Sequence, residues 1–137
     1  MLKCFPAFMA LASACIGPAA AQDYVSFQSP TGNIHCAIFS GRYAGVRCDI
    51  GEYTPSFPLR PVDCDFDWGF AFVVDANGTA GPICASDTVR DLRAPILDYG
   101  RSFSRWGIVC RSEQSGMTCT NARGHGFTLS RRQQRVF

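Results

Sequence analysis

The chain has 137 residues, of which 47% are hydrophobic and 18% are charged, and its formal net charge is +2. This length favours a single domain, and the hydrophobic fraction with 17 aromatic residues excludes a disordered chain. The near balance of charges gives the protein as a whole no strong attraction to nucleic acid. Apart from the N-terminus, no apolar run reaches the roughly 18 residues that a membrane-spanning helix needs.

The first 21 residues have the pattern of a secretory signal peptide. Lys3 gives a positive start, residues 5–17 form an apolar stretch, and residues 18–21 contain an Ala-x-Ala cleavage site. We therefore predict cleavage before Gln22 and a periplasmic or secreted mature protein. A lipoprotein modified at Cys15 is the alternative, but it requires a large aliphatic residue where the sequence has Ala12.

The cysteines that follow the signal peptide indicate disulfides. Cleavage removes Cys4 and Cys15 and leaves an even set of six, Cys36, Cys48, Cys64, Cys84, Cys110 and Cys119. An even number of cysteines in a small exported domain is typical of a disulfide framework. Zinc is the competing interpretation, but the chain has no Cys-x-x-Cys pair and only two histidines. We predict neither a metal site nor a cofactor.

A repeat predicts how the six cysteines pair, although six cysteines alone allow 15 pairings. Residues 33–48 and residues 107–119 each have the pattern of strand, turn and strand, with one cysteine in each arm. Opposed residues on antiparallel strands are close enough for a disulfide. This predicts the bridges Cys36–Cys48 and Cys110–Cys119 and leaves Cys64–Cys84 as the third.

The other segments are predicted to be extended or looped. The expected strands are Tyr24–Gln28, Trp68–Val74 and a final one at residues 126–130, with turns at residues 29–33 and at Asn77-Gly78. Pro82 indicates a short or edge strand, and Pro55, Pro58 and Pro61 mark an extended linker without helix. Residues 86–97 could hold one short helical turn that ends at Pro95. No segment has sustained helical periodicity, so we predict a small all-β domain of antiparallel hairpins over residues 22–137.

Charge is distributed unevenly along the chain. Residues 22–98 contain five arginines and ten acidic residues, whereas residues 99–137 contain seven arginines and only Glu113. One interpretation is an anion-binding face, because guanidinium groups suit phosphate and carboxylate. The alternative is that the two portions pair with each other or that the arginines are only solvated. Of the seven arginines, Arg101 and Arg105 are not among the main anion-binding candidates. The main candidates are Arg111, Arg123, Arg131, Arg132 and Arg135.

Few residues suggest catalysis. His35 and His125 are the only histidines, and a histidine pair with an arginine can cleave a phosphodiester by acid–base catalysis, as in small secreted ribonucleases. No local motif supports this pairing. His35 lies in a strand pattern, and His125 lies between two glycines, where its imidazole can hydrogen-bond backbone. We predict structural roles for both histidines and no catalytic residue, and we keep the pair as the catalytic alternative.

Other polar residues have simpler explanations. Asp63, Asp65 and Asp67 would share one face of a strand, but a calcium loop needs more oxygen ligands, and we expect them to be solvated or paired with arginines. Trp68 is expected to anchor the core. Asn77 begins a glycosylation sequon that the predicted turn explains better, and Ser130 lacks the motif of a serine nucleophile.

The motif Phe27-x-Ser-Pro-Thr-Gly-Asn-Ile-x-Cys36 resembles the opening of a family of small secreted bacterial proteins classed as a domain of unknown function. The resemblance covers nearly the whole mature chain. It continues through Gly45-Val-Arg-Cys-Asp-Ile50, Cys64-x-x-Asp-Trp-Gly69, Cys84-x-x-Asp-Thr88, Tyr99-Gly100, Gly116-Met-Thr-Cys119 with Asn121, and Gly124-His-Gly-Phe-x-Leu-Ser-Arg131. It implies export and the six-cysteine framework, and it implies no activity, substrate or catalytic residue.

Together these features favour a monomeric, non-enzymatic binding module with an arginine-rich C-terminal face. Its partner would be an envelope protein or a polyanion. A small hydrolase that uses His35 and His125 is one alternative. An inhibitor of a secreted enzyme, presenting the loop Gly41–Gly45, is the other.

Overall fold

The computed structural model describes residues 23–137, and the predicted signal peptide lies outside them. The described chain forms ten β-strands in two antiparallel sheets, and within each sheet every strand pairs with its neighbour in the sequence. The first sheet contains β1 (Tyr24–Gln28), β2 (Ile34–Phe39), β3 (Gly45–Ile50), β4 (Ala71–Asp75) and β5 (Ala80–Pro82). The second contains β6 (Ser102–Arg105), β7 (Ile108–Glu113), β8 (Gly116–Asn121), β9 (Gly126–Leu129) and β10 (Gln134–Val136). The predicted all-β class is confirmed.

The two sheets face each other across one apolar core. Along β7 the residues alternate between buried and exposed, and this period of two directs Ile108 and Cys110 inward and Val109 outward. The core joins residues of both sheets, and the rings of Phe72 on β4 and Phe127 on β9 lie 6.2 Å apart between their centroids. Burial of these apolar side chains holds the sheets together.

The three predicted disulfides are present. Cys36 lies directly opposite Cys48 in the β2–β3 pair, and Cys110 lies opposite Cys119 in the β7–β8 pair, each with a Cα–Cα distance of 4.1 Å. These two hairpins form the predicted repeat, one in each sheet. The third bridge, Cys64–Cys84, joins the long loop after β3 to the segment after β5.

The predicted elements differ from the structure in a few places. The strand expected from Trp68 begins only at Ala71, and β5 is a three-residue edge strand at Pro82, as predicted. The helical turn expected in residues 86–97 is wrong. That segment is irregular, and a β-turn closes it where the Ala94 amide donates to the Asp91 carbonyl (3.1 Å).

Two strands of the second sheet were not predicted. β6 and β10 lie at its two edges, so residues 126–130 are not the final strand. Both strands are short and rich in polar residues, and β6 directs only Phe103 toward the core. Their sequences therefore lack the apolar alternation that reveals a strand.

Candidate functional site

The outer face of the first sheet is covered by a segment that we call the strap (residues 87–97). Gln28 on β1 holds one end of it, because its Nε2 donates to the Ala94 carbonyl (2.8 Å) and its backbone amide donates to the Pro95 carbonyl (2.9 Å). The Leu97 amide donates in return to the Gln28 carbonyl (2.9 Å). The strap hides much of this face of the sheet from solvent.

His35 is one of the residues that hold the strap. Its side chain points away from the core but is only 3% exposed. The Asp91 amide donates to Nδ1 (3.3 Å), so the proton is assigned to Nε2, which donates to the Gly32 carbonyl (3.0 Å). Backbone groups of the protein thus occupy both ring nitrogens.

Arg47 and Asp49 on β3 form a second anchor, which sequence reasoning missed. The Arg47 guanidinium donates two hydrogen bonds to the Asp49 carboxylate (2.8 and 3.0 Å). It donates two more to Asp87, one to the carboxylate and one to the backbone carbonyl (both 2.8 Å). Asp49 also accepts from the Thr88 hydroxyl (2.9 Å) and the Val89 amide (3.0 Å). The signal for this ion pair was the spacing of its residues. The arginine and the aspartate lie two residues apart on β3, and both faces of that strand are buried.

The ionisation of this anchor follows from its geometry. Burial lowers the pKa of Arg47, but hydrogen bonds to the Asp49 and Asp87 carboxylates outweigh burial and raise it above its ordinary value. The hydrogen bond from Arg47, followed by its charge, lowers the pKa of Asp87. Arg47 and Asp87 are therefore both charged at neutral pH.

The structure does not bring the two histidines together. His125 lies in the β8–β9 turn, where its amide donates to Asn121 Oδ1 (3.1 Å) and Asn121 Nδ2 donates to the Asp75 carbonyl (2.9 Å). Asp75 ends β4, whereas His35 lies level with Ala71 at the start of that strand. Four residues of strand separate these levels by about 13 Å. The histidines lie at opposite ends of the sandwich.

The other residues that the sequence analysis singled out lie in loops. Asp63, Asp65 and Asp67 are exposed and do not form the expected strand, although Asp67 exchanges two backbone hydrogen bonds with Ala85 (3.0 and 3.1 Å). Ser130 closes a turn by donating to the Gln133 carbonyl (3.0 Å).

The expectation that Trp68 anchors the core is wrong. Trp106, in the β6–β7 turn, packs against the core, whereas Trp68 is partly exposed and lines a surface cavity. The buried Trp68 Nε1 has no hydrogen-bond partner within residues 23–137.

The loop Gly41–Gly45 of the inhibitor alternative contains a turn of 3-10 helix, and Tyr43 in it is 70% exposed. Asn77 is exposed in the β4–β5 turn.

Three cavities meet in a groove across one end of the sandwich. The central cavity, of about 510 Å³, lies between the β1–β2 turn, the end of β3 and the β7–β8 turn. It shares Ser130 and Arg131 with a second cavity of about 870 Å³. On its other side it shares Asn33 and Arg90 with a third cavity of about 420 Å³. We call these joined cavities the groove.

Aromatic, hydrogen-bonding and charged side chains line the groove. Tyr99 is 43% exposed beside the central cavity, and Tyr53 and Trp68 line the third. Burial, followed by the negative charge of Asp67, raises the pKa of Tyr53, so its hydroxyl is protonated at neutral pH. Of the predicted anion-binding arginines, Arg131 and Arg132 line the groove.

No segment within residues 23–137 covers the outer side of the second sheet as the strap covers the first. A row of polar residues crosses all five strands there in register, and we call it the basic face: Arg135, Thr128, Thr118, Arg111 and Ser102. Arg111 and Arg135 are exposed, and the hydroxyls of Thr118 and Thr128 are 2.8 Å apart. Arg123 lies in the β8–β9 turn, away from this row.

The acidic and basic portions of the chain hardly pair with each other. Among the described residues, only Glu52 and Arg131 form an ion pair between residues 22–98 and residues 99–137 (2.9 Å). The other ion pairs, such as Arg111–Glu113 (2.6 Å), lie within one portion. Because the sheets meet through apolar side chains, the uneven charge of the sequence persists in the folded protein as two portions of opposite charge.

These features define a disulfide-stapled sandwich of two β-meanders with one covered and one open outer face. The chain belongs to the family of unknown function DUF6636, whose profile matches residues 7–137. This agrees with the resemblance to a family of unknown function. No curated protein and no solved structure matches the chain. No helix in the described part of the chain is long and apolar enough to cross a membrane.

Proposed function

We propose that the protein is a non-enzymatic binding module, exported from the cell, whose ligand is a polyanion that lies on the basic face. The observation that carries this proposal is the separation of charge, since in the described part of the chain a single ion pair, Glu52–Arg131, connects the acidic and basic portions. Internal pairing would have left few guanidinium groups for a ligand.

The form of the basic face supports the same proposal. Arg111 and Arg135 lie three strands apart on one row, which corresponds to about 14 Å at the usual spacing between strands. Arg111 is paired with Glu113, but both side chains are about half exposed, and such a pair is weak enough for a ligand to replace. A polymer with regularly spaced negative charges can meet both arginines at once, and the threonines between them offer hydroxyls.

Heparin binding at increasing salt concentration tests the proposal. If the two arginines of the basic face each neutralise one charge of the ligand, affinity should fall by about 12-fold between about 50 mM and about 200 mM salt, at the slope of about 0.9 per charge found for DNA. The double variant Arg111→Gln/Arg135→Gln should bind heparin more weakly and with a shallower salt slope. The matched control Arg60→Gln/Arg93→Gln removes the same charge from exposed positions in the acidic portion.

Equal losses in the two double variants would contradict the proposal, because the effect would then depend on net charge alone. Absence of heparin binding by the unaltered protein at low salt would also contradict it.

A further inference from the structure

We propose that the groove is a second binding site, separate from the basic face, and that it takes an extended acidic oligosaccharide. Arg123, Arg111 and Arg135 lie outside its lining. The inference therefore goes beyond the polyanion binding proposed for the sheet, and the two can be tested separately.

The shape of the groove suits a chain of several sugars. Each of its cavities has the volume of a small-molecule site, and the three are joined in line through shared side chains. Gln114 and Arg131 belong to both the central and the second cavity, and Arg90 belongs to both the central and the third. A compact ligand would fill only one cavity, whereas an extended chain can occupy all three.

The aromatic side chains favour a saccharide. Tyr99 lines the central cavity, and Tyr53 and Trp68 line the third. Such side chains combine an apolar ring with a polar atom at its edge, which matches a sugar ring with apolar faces and a rim of hydroxyls. Gln114 and Gln133 add amide groups that can both donate and accept hydrogen bonds.

The arginines favour an acidic sugar over a neutral one. Arg132 lies in the second cavity, Arg131 at its junction with the central cavity, and Arg90 at the next junction. Four carboxylates also line the groove, but three of them, Asp49, Glu52 and Glu113, are each ion-paired with an arginine, which leaves Asp67. Neither Arg90 nor Arg132 forms an ion pair within residues 23–137, and the Arg131–Glu52 pair is largely exposed. Guanidinium groups spaced along the groove can each form a forked pair with a carboxylate on a different sugar.

The backbone around the groove argues against an extended peptide as the ligand. Much of the lining comes from turns, at residues 29–33, 113–116 and 130–133. An extended peptide gains most of its affinity by adding a strand to a free sheet edge. The turns that line the groove offer no such edge, while side-chain recognition of sugar hydroxyls and carboxylates needs none.

The test is titration of the disulfide-bonded protein with tetragalacturonate, followed by calorimetry. Tyr99→Ala and Arg90→Gln should each weaken binding by about tenfold. The matched controls are Tyr43→Ala, which removes an exposed tyrosine outside the groove, and Arg123→Gln, which removes an arginine outside it; both should leave the affinity unchanged.

The remaining arms separate this site from the basic face and from other ligands. Arg135→Gln, which changes the basic face and no group that lines the groove, should keep tetragalacturonate binding even though it weakens heparin binding. Cellotetraose, a neutral chain of the same length, and tetraglutamate, an acidic peptide, should both bind at least tenfold more weakly than tetragalacturonate. Absence of tetragalacturonate binding, equal losses in the groove variants and their controls, or equal binding of either comparison ligand would overturn the inference.

Discussion

The Sγ atoms of Cys48 and Cys119 lie 3.7 Å apart, although 71 positions separate the two residues in the chain. Each belongs to the disulfide of a different sheet, so the two hairpin bridges touch at the centre of the core. All four cysteines of these bridges are 0% exposed, whereas Cys84 of the third bridge is exposed. Cys36, Cys48 and Cys119 place three sulfurs within 4.8 Å, but each is part of a disulfide and so is not a thiolate ligand.

Mild reduction should therefore open the Cys64–Cys84 bridge first. Thiol–disulfide exchange requires a thiolate to reach a sulfur, and of the three bridges within residues 23–137 only the third includes an exposed cysteine. Alkylation at successive times and peptide mass spectrometry should find label at Cys64 and Cys84 before any at Cys110 and Cys119. Simultaneous labelling of all six cysteines under native conditions would contradict this order, and the same treatment in denaturant is the control.

Asp49→Asn should destabilise the fold by about 3 kcal/mol, because it leaves a largely buried arginine without its main partner. The side chains of Arg47 and Asp49 are only 12% and 6% exposed, and Asp49 also holds Thr88 and Val89 of the strap. Denaturant unfolding with the disulfides intact measures the change. The control is Glu113→Gln, which breaks an exposed pair and should have little effect. A similar loss in both variants would refute the structural role of the anchor.

Acid should loosen the strap. The Arg47 hydrogen bond lowers the pKa of Asp87 in the folded protein, so this carboxylate stabilises the fold above its ordinary pKa of about 3.9. That contribution is lost as the pH falls through the lowered pKa. Hydrogen exchange of the Val89 amide, which donates to Asp49 in the strap, should accelerate in acid more than exchange in β2 after correction for intrinsic rates. Asp87→Asn should remove much of this dependence, and equal acid sensitivity in that variant would count against the assignment.

Gly126→Ala should destabilise the protein by at least about 2 kcal/mol, because a Cβ at this position would overlap the Cys119 carbonyl oxygen. That oxygen belongs to the neighbouring strand backbone, which cannot move without disturbing the β8–β9 pair. Gly81→Ala is the control, since a Cβ there has no neighbour within 4 Å. Thermal unfolding of the two variants measures the difference, and similar melting temperatures would show that the strands adjust.

Much of the fold was predictable because its signals are local. The alternation around Cys36 and Cys48, and its repetition around Cys110 and Cys119, identified the two central hairpins and their bridges. A turn sequence between two arms and the reach of a disulfide are sufficient for that inference. β6 and β10 were not predicted because these edge strands bury little side-chain surface and show little apolar alternation.

The site was much less predictable. Arg131 and Arg132 were singled out as anion-binding candidates by charge, but the groove they line also depends on Arg90, which was not singled out, and on Tyr99, which entered only as part of the family resemblance. His35 was weighed as a catalytic residue, and only the fold places the Asp91 amide against its Nδ1. These contacts join distant parts of the chain, and no local pattern records them.

The amino-acid sequence by itself determined the all-β class, the pairing of the cysteines and the uneven distribution of charge. Each of these depends on neighbours in the chain, on the period of a strand or on composition. Only the tertiary structure decided that the charged portions hardly pair, that the strap covers one sheet and that three cavities join in a groove. The face-to-face packing of the sheets sets which turns meet and which outer surfaces stay open. This packing is driven by burial of apolar side chains, and because apolar burial is not directional, no local sequence pattern records its result.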